Sequence, residues 1–203
     1  KDLILQVGHV ERFNPVMQFL EENLATPRFI EATRLAPYPP SRPDGPPRGT
    51  EVSVVLDLMI HDLEIILHLV RSPVKRINAA GVAVLSPTED IANVRLAFEN
   101  GCLANVTASR ISREKQRKIR IFQEDTYVSL DYMNQAGVLC CKKDGQIAAE
   151  EVPIHKGEAL AAELASFVSC VARHNEPIVT ARHASEALRL AVEICRVMRE
   201  NPS

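Results

Sequence analysis

Apolar positions recur with two different periods along the chain, and the period changes near residue 73 and again near residue 158. Over residues 15–25 and 54–70 apolar side chains return every three to four positions, which predicts two helices with a buried face. The same spacing predicts two closing helices over residues 158–174 and 184–199. Asn14 before Pro15 is a typical helix start, because Asn caps free N–H groups and Pro suits the first helical position.

Between these helical segments the pattern alternates residue by residue, which predicts strands. Asn100-Gly101 and Asp144-Gly145 are strong hairpin signals between successive strands. Consecutive hairpins predict an α+β fold with a large, mostly antiparallel sheet and helices on one face. Further strands are expected over residues 1–7 and 28–36. The predicted alternating strands are Val74–Leu85, Ile91–Phe98, Leu103–Ser109, Lys118–Phe122, Tyr127–Tyr132, Val138–Cys141 and Ile147–Ile154.

Residues 37–47 carry six of the 13 prolines. Proline lacks the N–H group that helices and central strands use, so this segment is predicted to be an irregular connection. A domain linker and a surface loop both fit this composition. We favour a surface loop near a functional site, because unusual polar residues flank it on both sides.

Composition narrows the possible functions. The chain has 203 residues, 24 basic and 26 acidic side chains, and a net charge of −2, so it lacks the basic excess that nucleic acid requires. No apolar run approaches the roughly 18 residues that a membrane span needs. Five cysteines without a C-x-x-C pair argue against a disulfide framework and favour the cytoplasm. The length fits one large domain or two small ones, and we predict one domain over residues 1–203.

The most informative polar residues are Asp57 and His61, at the head of an apolar helix. Four positions apart, they share one face of an α-helix, and a carboxylate beside a histidine suits proton transfer with a hydroxyl group. A structural histidine satisfied by its neighbouring aspartate remains an alternative. A metal site that adds Glu64 and His68 is disfavoured, because four ligands over three helical turns lie too far apart for one ion.

A second polar cluster precedes the first helix. Glu11, Arg12 and Asn14 follow His9 between the opening strand and that helix, where binding residues commonly lie. An ion pair that only joins Arg12 to a nearby carboxylate is the alternative. Arg110, at the end of a strand, is a further candidate for substrate binding, with a solvated sheet edge as its alternative.

Two motifs together resemble the Gfo/Idh/MocA family of nicotinamide-dependent sugar oxidoreductases. The first runs from Val7 to Pro15, V-G-H-V-E-R-F-N-P, and the second is Asp57-x-x-x-His61-Asp62. The ending is similar too, with Pro177-Ile178-Val179-Thr180 between the two closing helices. The resemblance covers nearly the whole chain but only the family's C-terminal substrate domain. Members begin with a Rossmann domain that carries G-x-G-x-x-G, which the eight glycines here do not form.

The resemblance implies roles for the residues above. His61 would be the acid/base that acts on a sugar hydroxyl, and Asp57 would orient it or bind an adjacent hydroxyl. Glu11 and Arg12 stand where members place substrate-contacting residues. Asn14 and Arg110 are predicted as further substrate-binding residues from their positions, and no metal is expected. NAD or NADP would be bound by a missing Rossmann domain, of which residues 1–8 are the tail or link. These 203 residues alone would then be catalytically inert and hold no cofactor.

The segment His-Val-Glu-Arg-Phe-Asn-Pro is most similar to the family's nucleotide-sugar branch. The members of that branch are dehydrogenases that act at the 3-position of UDP-N-acetylglucosamine or its uronic acid. The expected partners are therefore a sugar or nucleotide-sugar and a second copy of the chain. Val94, Leu96 and Phe98 are expected on an open sheet face, which would form a homodimer or tetramer. The alternative is a non-catalytic sugar-binding or dimerisation scaffold, which would not need the Asp57–His61 spacing.

Overall fold

The computed structural model describes residues 3–143 and 145–200, and these form one eight-stranded sheet flanked by helices. The strand order is β2-β3-β4-β1-β5-β6-β7-β8, and every neighbouring pair is antiparallel except β1 and β4, which are parallel. The predicted α+β fold with a mostly antiparallel sheet is confirmed. The strands are β1 Phe29–Leu35, β2 Val74–Val82, β3 Ile91–Phe98, β4 Leu103–Ser109, β5 Gln116–Phe122, β6 Thr126–Asp131, β7 Ala136–Lys143 and β8 Gln146–Glu151.

Helices occupy the four predicted regions, two of them before β2 and two after β8. The 3-10 turn Val10–Phe13 leads into α1, and Asn14 caps α1 as predicted, because its Oδ1 accepts the Val16 N–H at 3.1 Å. A π-helical turn, Val55–Met59, runs directly into α2. The helices are α1 Pro15–Asn23, α2 Ile60–Val70, α3 Ala159–Arg173 and α4 Ala181–Glu200.

The opening strand predicted over residues 1–7 is wrong for the part that the structure describes. Among residues 3–7, Gln6 alone pairs with another chain segment as in a sheet, through one bridge to Thr180. This single bridge ties the start of the chain to the segment that leads into α4. The predicted Asp144-Gly145 turn depends on Asp144, which lies outside the described residues. The segment over residues 37–47 contains no helix and no strand, as its prolines predicted.

One face of the sheet forms the core and the other is polar. Val94, Leu96 and Phe98 are buried in the core together with Leu63 and Ile66 of α2. The opposite face carries Asn93 and Arg95 of β3 and Asn105 and Thr107 of β4, which are exposed or half-buried. The expectation that Val94, Leu96 and Phe98 lie on an open face is therefore wrong, because helices already cover them. A homodimer or tetramer through the sheet stays a prediction, without these three residues to support it.

Candidate functional site

A cavity of about 450 Å³ lies where the start of the chain, the loop after the prolines and the π-helical turn meet. It brings together Asp57 and His61, the two residues predicted to act chemically, and adds His9. Glu11, Arg12, Asn14 and Arg110 do not line it. The lining residues are Val7, Gly8, His9, Arg48, Gly49, Glu51, Val52, Leu56, Asp57, Ile60 and His61.

The π-helical turn changes how Asp57 and His61 share the cavity. The Ile60 N–H bonds to the Val55 carbonyl five positions earlier, so the helix is wider here than the α-helix that the spacing predicted. Both side chains still line one cavity, but no hydrogen bond joins them within the described residues. π-Helical turns occur often at functional sites, since they redirect side chains at the start or middle of a helix.

Asp57 lies directly against the backbone of the loop after the prolines. Gly49 has φ +84°, and a Cβ atom placed there would lie 2.5 Å from Oδ2 of Asp57. Glycine is therefore required at position 49 both by its backbone conformation and by the approach of this carboxylate. The carboxylate itself forms no hydrogen bond or ion pair with any other described residue, so it is available to a ligand.

The two histidines of the cavity contact each other. The rings of His9 and His61 meet edge to face, with centroids 5.4 Å apart and planes at 71°. Burial lowers the pKa of His61, and the nearby Arg34 cation lowers it further, against the opposing effect of Asp62 and Glu11. Burial together with the charges of His61 and Arg12 lowers the pKa of His9 to about 4. Both rings are therefore neutral near pH 7, and a neutral imidazole can accept a proton.

A buried ion-pair network lies behind His61. Arg34 donates to both carboxylate oxygens of Asp62, at 2.7 and 3.0 Å, and to Glu11 at 3.3 Å. Burial opposes a charged Arg34, but the two carboxylates outweigh it and raise its pKa above the ordinary value. Glu11 also accepts hydrogen bonds from Arg117 at 3.1 Å and Asn14 at 3.2 Å.

Glu11 and Asn14, predicted to contact the substrate, are thus placed inside the protein. Asn14 donates to the Tyr132 carbonyl at 3.0 Å as well as to Glu11, and both side chains are buried. These contacts fix the 3-10 turn against β1 and β5. Since His9 immediately precedes that turn, the network fixes the backbone that carries His9.

Arg12 points to a different part of the molecule. Its guanidinium donates to Glu64 at 2.7 Å and lies 3.2 Å from Nε2 of His68. Glu64 and His68 line a separate cavity of about 410 Å³ between α2 and α4. Arg12 therefore forms the ion pair that was the alternative to substrate binding, and its partner is Glu64.

Arg110 supports the cavity wall from behind. It is buried, donates to Asp90 at 2.8 Å, and reaches the carbonyls of Gly49 and Val52 in the loop that lines the cavity. Burial alone would raise the pKa of Asp90, but hydrogen bonds from Ser86, Arg110 and the Leu85 backbone hold it well below the ordinary value. The structure thus gives Arg110 a place as an anchor of the loop, not at a solvated sheet edge.

Several residues of this site were not among the predicted site residues, although the sequence pattern around some of them indicates a special role. Arg34 follows Ile30 and Ala32 on the buried face of β1, and a charged residue in a buried alternation indicates a buried partner. Asp62 adjoins His61, but its pairing with Arg34 spans 28 residues and leaves no mark in the sequence. His9 belonged to the second polar cluster, and its approach to His61 depends on the fold.

The described residues form neither a metal-binding group nor a membrane-spanning helix. Within residues 3–143 and 145–200 no three His, Cys, Asp or Glu side chains are grouped so that they could hold a metal ion. Asp57 and His61 line one cavity, whereas Glu64 and His68 line the other. Of the helices in this part of the chain, none is both long and apolar enough to cross a membrane.

Comparisons with known proteins agree with this architecture. A family model described as the GFO/IDH/MocA C-terminal domain matches residues 20–128. A UDP-N-acetylglucosamine 3-dehydrogenase of Acidithiobacillus ferrooxidans is 35% identical over 181 residues, which are 86% of this chain and 56% of that protein. The chain therefore spans little more than half the length of this curated relative.

Solved structures show the same fold. The structure of a UDP-N-acetylglucosamine 3-dehydrogenase from Acidithiobacillus ferrooxidans superposes with a TM-score of 0.88 at 32% identity, covering 98% of this chain and 63% of that one. A levoglucosan dehydrogenase in complex with NADH gives a TM-score of 0.83 and covers 98% of this chain and 65% of that one. Its identity is 13%, so this second likeness concerns the fold alone.

Proposed function

Because the chain belongs to the GFO/IDH/MocA family, as its C-terminal domain, we propose that it forms the substrate-binding part of an NAD(P)-dependent sugar or nucleotide-sugar dehydrogenase. The observation that carries the proposal is the cavity in which Asp57 and two neutral histidines meet. The 35% identity to a UDP-N-acetylglucosamine 3-dehydrogenase supports UDP-N-acetylglucosamine, oxidised at its 3-hydroxyl, as the substrate.

In this proposal His61 is the general base. Its neutral ring accepts the proton of the reacting hydroxyl as the carbon–oxygen single bond becomes a carbonyl. The nicotinamide ring, when bound, takes the hydride from the same carbon. Asp57 accepts a hydrogen bond from a neighbouring hydroxyl or amide N–H of the sugar, because its carboxylate lines the cavity and has no partner among the described residues. In the reverse reaction His61 returns the proton.

Arg34, Asp62 and Glu11 act through His61 and His9 in this proposal and do not touch the substrate. The Arg34 cation favours the neutral form of His61, and its ion pairs stabilise the turn that follows His9. Arg110 holds the loop of Gly49 and Val52, which forms part of the wall of the cavity. In this proposal three of the residues predicted to bind substrate support the site from within the protein, namely Glu11, Asn14 and Arg110.

A dinucleotide-binding Rossmann domain preceding residue 1 is part of the proposal, because no G-x-G arrangement occurs in this sequence and the relative is much longer. Residues 1–8 then form the tail or link of that domain. Gln6 donates to the Glu163 carbonyl of α3 at 3.2 Å, so the start of the chain runs beside α3. That helix exposes the apolar stripe Leu160, Leu164 and Val168, which a neighbouring domain would cover.

The proposed setting is the cytoplasm, and the proposed assembly is a homodimer or tetramer through the polar sheet face. All five cysteines are free thiols, three of them buried, which suits a reducing compartment. Asn93, Arg95, Asn105 and Thr107 offer hydrogen-bond donors and acceptors to a second copy. Sedimentation analysis of the purified protein tests the assembly.

The function is tested by following nicotinamide reduction in the full-length protein with UDP-N-acetylglucosamine. NAD and NADP are supplied in separate reactions, and UDP-glucose serves as the sugar control. We expect turnover with UDP-N-acetylglucosamine and one of the two cofactors. Tight sugar binding with no turnover under either cofactor would contradict the dehydrogenase proposal and favour a non-catalytic sugar-binding domain.

A further inference from the structure

We propose that His9 is a second substrate-contacting imidazole, which binds the sugar hydroxyl adjacent to the one that His61 deprotonates. The proposal rests on the proposed function and extends it to a residue to which the family resemblance assigned no role. Its basis is the position of the His9 ring, its missing partners and its pairing with His61.

The His9 ring has no hydrogen-bond partner among residues 3–143 and 145–200. Its exposed fraction is 6%, and its Nδ1 atom is fully buried without a donor or acceptor nearby. A buried imidazole in a purely structural role normally has a protein partner on at least one ring nitrogen. Nε2 has no hydrogen-bond partner among the described residues either, and because His9 lines the cavity beside Gly8 and His61, a ligand there can bind this second ring nitrogen.

The backbone, and not the ring, holds His9 in place. The His9 carbonyl accepts the Arg12 N–H at 2.9 Å, and the His9 N–H donates to the Val7 carbonyl at 2.9 Å. The ion pairs that buried Glu11 forms with Arg34 and with the half-exposed Arg117 fix the turn that follows. The imidazole is therefore positioned in advance and leaves its hydrogen-bonding capacity for the cavity.

Two imidazoles side by side match two neighbouring hydroxyl groups. The rings contact each other edge to face at 5.4 Å, so a single substrate ring can reach both. Both are neutral near pH 7, and each then offers one donor and one acceptor nitrogen, as a hydroxyl group does. In UDP-N-acetylglucosamine oxidised at position 3, the neighbouring hydroxyl is at position 4, since position 2 carries the acetamido group.

The test compares UDP-N-acetylglucosamine with its 4-deoxy analogue in the full-length enzyme and in two His9 variants. The wild-type enzyme is expected to prefer the natural sugar in kcat/KM by about tenfold, the effect of one hydrogen bond. His9→Phe removes both ring nitrogens while keeping an aromatic ring against His61. It should lose about tenfold on the natural sugar and almost nothing on the 4-deoxy sugar. His9→Gln restores a polar group near the Nε2 position and should recover part of the preference.

The outcomes separate the two proposals. Equal losses on both sugars in His9→Phe, or a wild-type enzyme that does not distinguish the sugars, would overturn the role of His9 and leave the dehydrogenase proposal standing. No turnover of the natural sugar by the wild-type enzyme would contradict the proposed function itself and the His9 role with it. If His9→Phe does not fold, the wild-type preference and its change in His9→Gln decide the question.

Discussion

In the proposed reaction His61 is kept neutral first by its burial and then by the Arg34 cation, which does not line the cavity. His61 is buried next to Arg34, and Arg34 is itself neutralised by Asp62 and Glu11. A lone buried aspartate beside His61 would favour the protonated, inactive form of a general base. The ion pair therefore does two things, because it satisfies two buried charges and keeps Asp62 from raising the pKa of His61 without opposition.

Replacing Arg34 should move the pH dependence of the reaction. In Arg34→Gln the cation that lowers the pKa of His61 is gone while Asp62, which raises it, remains. The acidic limb of kcat/KM should move to higher pH in the full-length enzyme. The control is Arg34→Gln combined with Asp62→Asn, which removes both charges and should return the limb towards the wild type. An acidic limb that stays in place in a folded Arg34→Gln enzyme would contradict this role.

The Asp90–Arg110 pair makes a separate prediction for stability. Hydrogen bonding lowers the pKa of Asp90 in the folded state, so folding favours its ionised form. The resulting stabilisation is present above the unfolded pKa of about 4 and is lost as pH falls through the lower folded value. Urea unfolding measured from pH 6 to roughly pH 2 should show this loss in the wild type. Asp90→Asn should be less stable at pH 6 and show a smaller decline; an identical decline would rule the pair out.

At the scale of elements, the site is made where the π-helical turn meets the loop of Gly49. The loop is anchored by Arg110 and approaches Asp57 so closely that a Cβ at position 49 would force the Asp57 carboxylate to move. A π-helical turn is less favourable than an α-helical one, so its presence at Asp57 indicates that the placement of this side chain matters more than regular helix geometry. The position of the Asp57 carboxylate thus depends on two segments that are adjacent in space.

Gly49→Ala should therefore damage the site more than the fold. The left-handed conformation alone makes alanine unfavourable by about 1–2 kcal/mol, and the new Cβ must also displace Asp57. Gly101→Ala is the matched control, since Gly101 has φ +87° and no atom within 4 Å of a built Cβ. Both variants should lose similar free energy of unfolding, but only Gly49→Ala should lose kcat/KM. Equal activity in the two variants would show that the approach of Gly49 to Asp57 is not needed.

The local pattern of apolar and polar residues predicted most helices and strands, but it did not predict the contacts between segments that are distant in the sequence. The strands Ile91–Phe98 and Leu103–Ser109 match their predicted bounds, because alternation and a Gly turn are local signals. The π-helical turn could not be foreseen, since the spacing of Asp57 and His61 fits an ordinary α-helix. The open apolar face was wrongly assigned because alternation shows that a strand has two faces but not which one the helices cover.

At the scale of the whole molecule, two parts of the described surface differ in character, the polar sheet face and the apolar stripe on α3. Leu164 and Val168 are 57% and 65% exposed, beside the segment through which the chain enters the domain. Side chains of this kind seldom lie together on the surface of a protein that functions alone. The proposed dinucleotide-binding domain would cover them and close the cavity of His61 from the cofactor side.

Charge introduced into this stripe should weaken the contact between the two proposed domains. In the full-length protein Leu164→Asp should lower the thermal stability of the assembled protein and raise the KM for the nicotinamide cofactor. Ile147→Asp is the control, because Ile147 is also exposed, at 81%, but lies on β8 at the far edge of the sheet. If both variants behave alike, the stripe on α3 is not the domain contact.

The central claim, that His61 carries the proton in a dehydrogenase reaction, is tested most directly by His61→Ala in the full-length protein. The kcat for nicotinamide reduction with UDP-N-acetylglucosamine and the Kd of that sugar are measured on the same preparation. We predict that kcat falls by about 10²–10⁴-fold, the usual contribution of a general base, while Kd changes by less than about tenfold. A kcat equal to that of the wild type would contradict the account.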